Sequence, residues 1–400
     1  MRIGLITGEY PPDQGGMGDF TRELARALAA LGHEIHIITT RPPISNPRSP
    51  LPDLHPPEVT THRVVSGWGW RCWRDIIRLD EALRFDVLNV QYQAAAYRMH
   101  PAINLLPWYL RWRGRPPVVV TFHDLRVPYL FPKAGPLRRQ AVLALARWSD
   151  GVIVTNREDE EQISNLESQI SNLARIPIGS NIAPQLPDGY DRDVERARWG
   201  VGPDDLLLGY FGFLNESKGG EELIQALALL VERGVPAHLL MIGGRVGSSD
   251  PTNRAYAERV EDMIAGLGLG ERVHRTGYTR PEAVSAGLLA TDVCVLPYRD
   301  GVSFRRGTLH ACLAHRRAVI TTRPAVVLPQ VRNGENMLLV EPRDPEGLAE
   351  AAMRLAADPA LRARLETGAA ALAQEFTWER IARRTAEFFT ALMRDRGGHL

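Results

Sequence analysis

The stretch Arg2-Ile-Gly-Leu-Ile-Thr7, followed by Gly8-Glu-Tyr-Pro-Pro-Asp-Gln-Gly-Gly-Met-Gly18 and then residues 19–39, decides the fold. Arg2–Thr7 is a short, mostly apolar run bounded by glycine, which predicts a strand. Between 19 and 31, Phe20, Leu24, Ala27, Leu28 and Leu31 recur at helical spacing. Gly32-His33 ends that helix, and residues 34–39 alternate as a second strand. Strand, glycine loop, helix and strand make a βαβ unit, which requires a parallel sheet.

Further strands are expected at 87–90, Val118–Phe122 and 151–155, so the first half reads as one doubly wound domain. The pattern restarts after residue 200. Leu206–Phe211 is a strand ending at Gly212, residues 221–234 an amphipathic helix, and 238–242 a strand ending at Gly243-Gly244. Strands at 272–276, 292–296 and Ala318–Thr322, with helices over Pro281–Ala290 and 308–315, complete the repeat. The expectation is α/β: two Rossmann-like domains, 1–182 and 183–400, facing a central cleft. Ligands of such sheets bind outside the carboxyl ends of the strands. Two segments stand apart. Residues 42–57 carry seven prolines and read as a surface loop, and 163–173 repeats a seven-residue unit as a locally helical insertion.

Composition narrows the class. A chain of 400 residues, 44% hydrophobic and 24% charged, has material for two cores. Its 48 Lys+Arg balance 47 Asp+Glu, so no net field draws it to nucleic acid. Cys72, Cys294 and Cys312 are too scattered for a disulfide scaffold or a cysteine-built metal site. With no apolar run of about 18 residues and no signal-like N-terminus, the expectation is a cytoplasmic protein. Only Lys133 and Lys218 among the 48 basic residues are lysine. A lysine kept against that bias suggests a need for a compact ammonium rather than a planar guanidinium.

Four places carry candidate chemistry. Gly15-Gly16-Met17-Gly18 precedes a helix N-terminus, where free amides and the dipole suit an anion; glycines there also serve close packing. It is neither a dinucleotide fingerprint nor a P-loop. His123-Asp124 follows a strand directly, at the end where ligands bind. Lys218 lies in Gly212-Phe-Leu-Asn-Glu-Ser-Lys-Gly-Gly220, just before a helix with an acidic first turn. Ser303, Arg305, Arg306, Gly307 and Thr308 lie between a strand and a helix and suit an anionic or hydroxyl-rich ligand. The pair Asp191 and Asp193 reads as helix N-terminal acid rather than a metal site.

Together these residues resemble the GT-B glycosyltransferases of family 4, the retaining nucleotide-sugar enzymes, almost end to end. The carriers are Tyr10-Pro-Pro12 with Gly15-Gly16, Leu31-Gly-His-Glu34, Thr121-Phe-His-Asp124 and Ile176-Pro-Ile-Gly179. Gly212…Lys218-Gly219, Met241-Ile-Gly-Gly244, Gly277-Tyr278, Asp292-Val-Cys-Val-Leu-Pro297, Asn333-Gly-Glu-Asn336 and Phe376-Thr-Trp378 follow in order. The resemblance implies a terminal helix over about 376–395 packed back on the first domain. It also implies a nucleotide-diphosphate sugar on the second domain and a glycan or lipid-linked acceptor on the first. By it, His123 and Lys218 are catalytic. Gly15, Gly16, Gly212, Asn215, Gly243, Tyr278, Ser303, Arg305, Arg306, Gly307, Thr308 and His310 bind the donor, and no metal is required. The sequence departs from the family where two glutamates, eight residues apart, usually stand; here those positions are Val302 and His310. His310 would then be left to hydrogen-bond the ribose, and Arg305 or Arg306 to replace a family arginine that aligns with Phe213.

Five of the eight tryptophans lie between 68 and 112, and residues 61–140 hold thirteen Lys+Arg against five Asp+Glu. That pattern suits peripheral contact with an anionic membrane, or aromatic packing around an acceptor or a partner chain. The function expected is hexosyl transfer. The alternatives are a catalytically silent GT-B protein that binds nucleotide or glycan as an assembly partner, and a phosphorylase or epimerase of the same fold.

Overall fold

The computed structural model describes all residues except 13–14, 42–57, 124, 126–134, 167–169, 171, 245–250 and 398–400. The proline-rich segment, Asp124, Lys133 and part of the 163–173 insertion therefore lie outside the described residues. The chain forms two compact units. One is Met1–Gly179 with Trp378–Leu400, the other Ser180–Thr377; the boundary expected from sequence lay at 182/183.

Unit 1 contains β1 (Arg2–Thr7), α1 (Gly16–Ala30), β2 (Glu34–Thr40), β3 (Val59–Val65), α2 (Arg71–Leu83), β4 (Val87–Tyr92) and α3 (Ala102–Trp112). It continues with β5 (Val118–Phe122), α4 (Gly135–Trp148), β6 (Gly151–Val154), α5 (Arg157–Leu166) and β7 (Leu173–Arg175). The strands form one parallel sheet in the order β3-β2-β1-β4-β5-β6-β7. Strand parity sends side chains to opposite faces. Ile3, Leu5, Ile35, Ile37, Val87, Val119 and Ile153 meet Phe20, Leu24 and Leu28 of α1. Ile6, Ile38, Leu88, Val90, Val120 and Phe122 meet Ile76, Ile103, Leu106 and Leu110 of α2 and α3.

Unit 2 contains α6 (Arg192–Ala197), β8 (Leu206–Phe211), α7 (Gly220–Glu232), β9 (Ala237–Ile242), α8 (Pro251–Gly266), β10 (Val273–Gly277) and α9 (Pro281–Ala290). Then come β11 (Val293–Leu296), α10 (Gly307–Ala314), β12 (Ala318–Thr322), β13 (Leu338–Val340), α11 (Pro345–Ala357) and α12 (Pro359–Ala373). Its sheet is parallel in the order β10-β9-β8-β11-β12-β13. The last helix, α13 (Trp378–Gly397), belongs to unit 1, where Ile381, Ala382 and Phe389 share the core with α1. Asp191 caps α6 by accepting from the amides of Asp193 and Val194, the helix-terminal role read from sequence.

Three strands, β3, β7 and β13, escape the sequence reading. β3 carries Thr60, Thr61, His62 and Arg63 and is half-buried at the sheet edge, so its apolar signal is weak. β7 and β13 are each three residues long. Among the described residues no helix is long and apolar enough to cross a membrane.

Candidate active site

Each sheet changes direction once. The order reverses between β1 and β4 in unit 1 and between β8 and β11 in unit 2. The crevice at the carboxyl ends of such a strand pair is where a doubly wound sheet binds its ligand. The candidate residues of unit 2 gather there. Gly212 and Lys218 follow β8; Tyr298, Arg306 and Thr308 follow β11.

Gly212 has φ +124, and a Cβ on it would lie 2.7 Å from Thr308 Cγ2 and 3.0 Å from Lys218 Nζ. Glycine is therefore required twice here, for its backbone and for the ammonium above it. Tyr298 Oη and Thr308 Oγ1 are 2.8 Å apart, and the Arg306 guanidinium lies 4.8 Å over the Tyr298 ring. Arg306 also donates to Ser217 Oγ at 3.4 Å and to Asp300. Burial, then the neighbouring Arg306 charge, bring the Lys218 ammonium down to about 8. Among the described residues Lys218 Nζ has neither a carboxylate nor a hydrogen-bond acceptor. Two cations held together with one of them unanswered form an anion site.

The loop carrying Lys218 is held rigidly. Asn215 accepts from the Lys218 amide at 3.0 Å, and its Oδ1 accepts from Ser217 Oγ at 2.9 Å. Gly219 has φ +67, and a Cβ there would lie 1.9 Å from the Pro297 carbonyl oxygen. The Arg299 amide donates to the Ser217 carbonyl, and its guanidinium reaches Glu216, Glu221 and Glu222. Sequence reading missed this arginine, because its three partners lie about 80 residues away. Unlike Lys218, it is fully answered by carboxylates.

The other expected donor-site residues fall into three groups. Gly307 and Thr308 begin α10, with Arg306 at its cap position and Arg305 half-buried before it. Gly243 has φ +106, its amide donates to Thr276 Oγ1, and Tyr278 is 69% exposed. Ser303 Oγ is buried without a hydrogen-bond partner among the described residues. His310 departs from expectation. It is 2% exposed, Nε2 donates to the Phe304 carbonyl at 2.9 Å, and Phe376 lies 4.5 Å from its ring. Burial lowers it to about 4. The Leu309-His-Ala-Cys-Leu313 run of α10 is buried throughout, so position 310 faces core rather than a ribose. Val302 is buried as well.

In unit 1 the glycine loop follows β1. The Glu9 carboxylate lies at the α1 N-terminus, its Oε1 accepting from the Met17 amide at 3.3 Å. A Cβ on Gly15 would sit 2.1 Å from that oxygen, whereas one on Gly16 would meet nothing within 4 Å. The resemblance implies phosphate at this terminus; in the structure the chain's own Glu9 carboxylate takes the Met17 amide. His123 follows β5, with Nε2 2.9 Å from Gln91 Oε1 and Phe20 edge-on at 4.6 Å. Burial lowers it to about 4.

Both units match known protein families. Residues 15–179 match the glycosyl transferase 4-like domain, and residues 205–358 match glycosyl transferases group 1. The chain belongs to the GT-B glycosyltransferases. The D-inositol 3-phosphate glycosyltransferase of Corynebacterium urealyticum is 26% identical across 98% of this chain and 96% of its own. That of Pseudarthrobacter chlorophenolicus is 27% identical across 100% and 97%. Sucrose-phosphate synthase from Thermosynechococcus elongatus superposes with a TM-score of 0.76 at 24% identity, over 99% of this chain and 100% of that one. Anabaena HepE in complex with UDP-glucose gives 0.73 at 18%, over 98% and 100%. The resemblance to GT-B glycosyltransferases of the family 4 type, read from the motifs, is borne out.

Proposed function

We propose that this glycosyltransferase is a retaining hexosyltransferase that draws on a nucleoside-diphosphate sugar held by unit 2. The observation that carries the reading is the unanswered Lys218 ammonium beside Arg306, over Gly212, at the switch point of the second sheet. The complex of the structural neighbour HepE with UDP-glucose supports a nucleotide sugar as donor. In the reaction the C1–O bond to the diphosphate breaks and an acceptor oxygen bonds C1 on the same face. The acceptor proton passes to the departing phosphate oxygen, whose growing charge Lys218 and Arg306 stabilise. On this account the two cations supply what a divalent ion would supply elsewhere, so metal is not required.

The acceptor is a glycan or glycolipid, recognised by unit 1. Support for a lipid-linked acceptor comes from an aromatic row in α2 and α3. Trp70 and Trp73 lie 5.1 Å apart, Trp73 stacks on Tyr109 at 4.4 Å, and Tyr109 approaches Trp112. Trp70, Trp108 and Trp112 are 51%, 43% and 72% exposed. Arg71, Arg78 and Arg113 are exposed nearby and have no acidic partner among the described residues. Indole beside free guanidinium suits the headgroup layer of an anionic membrane.

The test is to incubate the protein with UDP-, GDP-, ADP- and dTDP-sugars and candidate acceptors without metal, and to follow nucleoside diphosphate release. Transfer with the donor's anomeric configuration preserved supports the reading. An inverted product, or a strict need for added metal, overturns the part it concerns.

A further inference from the structure

β4 reads Val87-Leu-Asn-Val-Gln-Tyr92, and Asn89 and Gln91 share the face on which Val87 enters the core. Both are fully buried, as is Thr121 opposite Gln91 on β5. Buried amides inside a sheet are retained only when every polar atom finds a partner. Here the partners run in one line toward His123. Asn89 Nδ2 donates to the Val119 carbonyl at 3.3 Å and to Thr121 Oγ1 at 3.0 Å. Asn89 Oδ1 accepts from Gln91 Nε2. Gln91 Oε1 then faces His123 Nε2 at 2.9 Å.

The order of donors and acceptors along this line is not free. A main-chain carbonyl only accepts, so Asn89 must present its amide nitrogen to Val119 and its oxygen to Gln91. Gln91 must answer with nitrogen, which leaves its oxygen for the imidazole. His123 Nε2 therefore carries the hydrogen, and Nδ1 remains an acceptor. We propose that Asn89 and Gln91 are positioning residues that carry the polarity of the Val119 carbonyl into the ring and hold His123 as the neutral Nε2–H tautomer.

The consequence is chemical. Through Nδ1 the ring accepts a hydrogen bond from a ligand hydroxyl and has no proton to give a phosphate oxygen. Phe20 of α1 covers the ring edge-on, and Gln91 holds it from β4. Among the described residues burial is the cause that lowers its pKa, to about 4. The kinetic consequence rests on the glycosyltransferase reading above; the tautomer does not.

The experiment is nitrogen NMR of ring-labelled protein across pH, for wild type, Gln91→Met and Gln91→Glu, alongside turnover. Wild type is expected to show Nε2 protonated and Nδ1 bare from pH 8 to pH 5. Gln91→Met, which removes the acceptor while keeping bulk, is expected to show mixed tautomers and a lower kcat with little change in KM. Gln91→Glu keeps an acceptor but adds charge. It is expected to raise the His123 pKa by at least about 1 unit, with the acid limb of turnover moving equally. A wild-type ring protonated at Nδ1, a tautomer unmoved in Gln91→Met, or a pKa unmoved in Gln91→Glu would each overturn the relay. Wild-type spectra as expected from a protein that transfers no sugar would instead leave the relay standing and remove the proposed function.

Discussion

Raising the pH through the titration of Lys218 should weaken nucleotide binding in a way that only a lysine at this position produces. In the free protein its ammonium has been brought down to about 8 by burial and by Arg306. A bound diphosphate reverses that balance, because it answers both cations, and the bound-state pKa returns above the ordinary value of about 10.4. Binding above pH 8 must therefore take up a proton. With a free-state pKa of about 8, the charged fraction falls from about nine-tenths at pH 7 to about one-tenth at pH 9. That is a tenfold loss of affinity, about 1.4 kcal/mol. The assay is titration calorimetry with UDP at pH 7, 8 and 9, in two buffers of different ionisation enthalpy to count the protons. Lys218→Arg is the control, since its guanidinium stays charged throughout and any slope it retains belongs to the nucleotide. A wild-type affinity that follows the Arg variant, with no proton uptake at pH 9, would refute the placement of this ammonium against the phosphates.

Gly219→Ala forces an αL alanine, at about 1–2 kcal/mol, and drives its Cβ into the Pro297 carbonyl 1.9 Å away. Thermal unfolding should fall by several degrees and UDP binding by at least about tenfold, while Gly266→Ala, with nothing within 4 Å, should change neither. His310 is held neutral by burial at a pKa of about 4, against about 6.5 unfolded. Its contribution is present above pH 6.5 and is lost as pH falls toward 4, up to about 3 kcal/mol. Denaturant melts should show wild type losing about that much more stability between pH 7 and pH 4 than His310→Gln. Replacing Trp70 and Trp112 by serine should cut sedimentation with phosphatidylglycerol vesicles several-fold and leave phosphatidylcholine vesicles unchanged. Unchanged sedimentation with phosphatidylglycerol vesicles would leave these rings as acceptor-side packing.

The frame was legible in the sequence because doubly wound units repeat one signal: an apolar run, a glycine, then a helix-period stripe. Gly212 and Lys218 were visible for the same reason, since they follow a strand end and the lysine is rare. The misreadings share a physical cause. His310 aligns with a family glutamate, whereas its neighbours Leu309, Ala311, Cys312 and Leu313 are all buried and carry the ring inward with them. Glu9 lies six residues before Gly15 and turns back onto it, a contact that no period reveals. Asn89 lies in the strand expected at 87–90 and Gln91 one residue beyond it, and no motif marks either; their line to His123 exists only once β4 lies beside β5. Arg299 is likewise bound to glutamates that only the fold brings to it.

The central claim is that a nucleoside diphosphate rests on Lys218 and Arg306. Thermal unfolding with UDP, GDP, ADP and dTDP, for wild type and Lys218→Met without metal, tests it most directly. At 100 times its dissociation constant a ligand stabilises the fold by about 2.7 kcal/mol. The account predicts a clear shift in wild type with at least one of these nucleotides, and little or none in the variant at the same concentration. No shift with any of them, or an equal shift in both proteins, would contradict it.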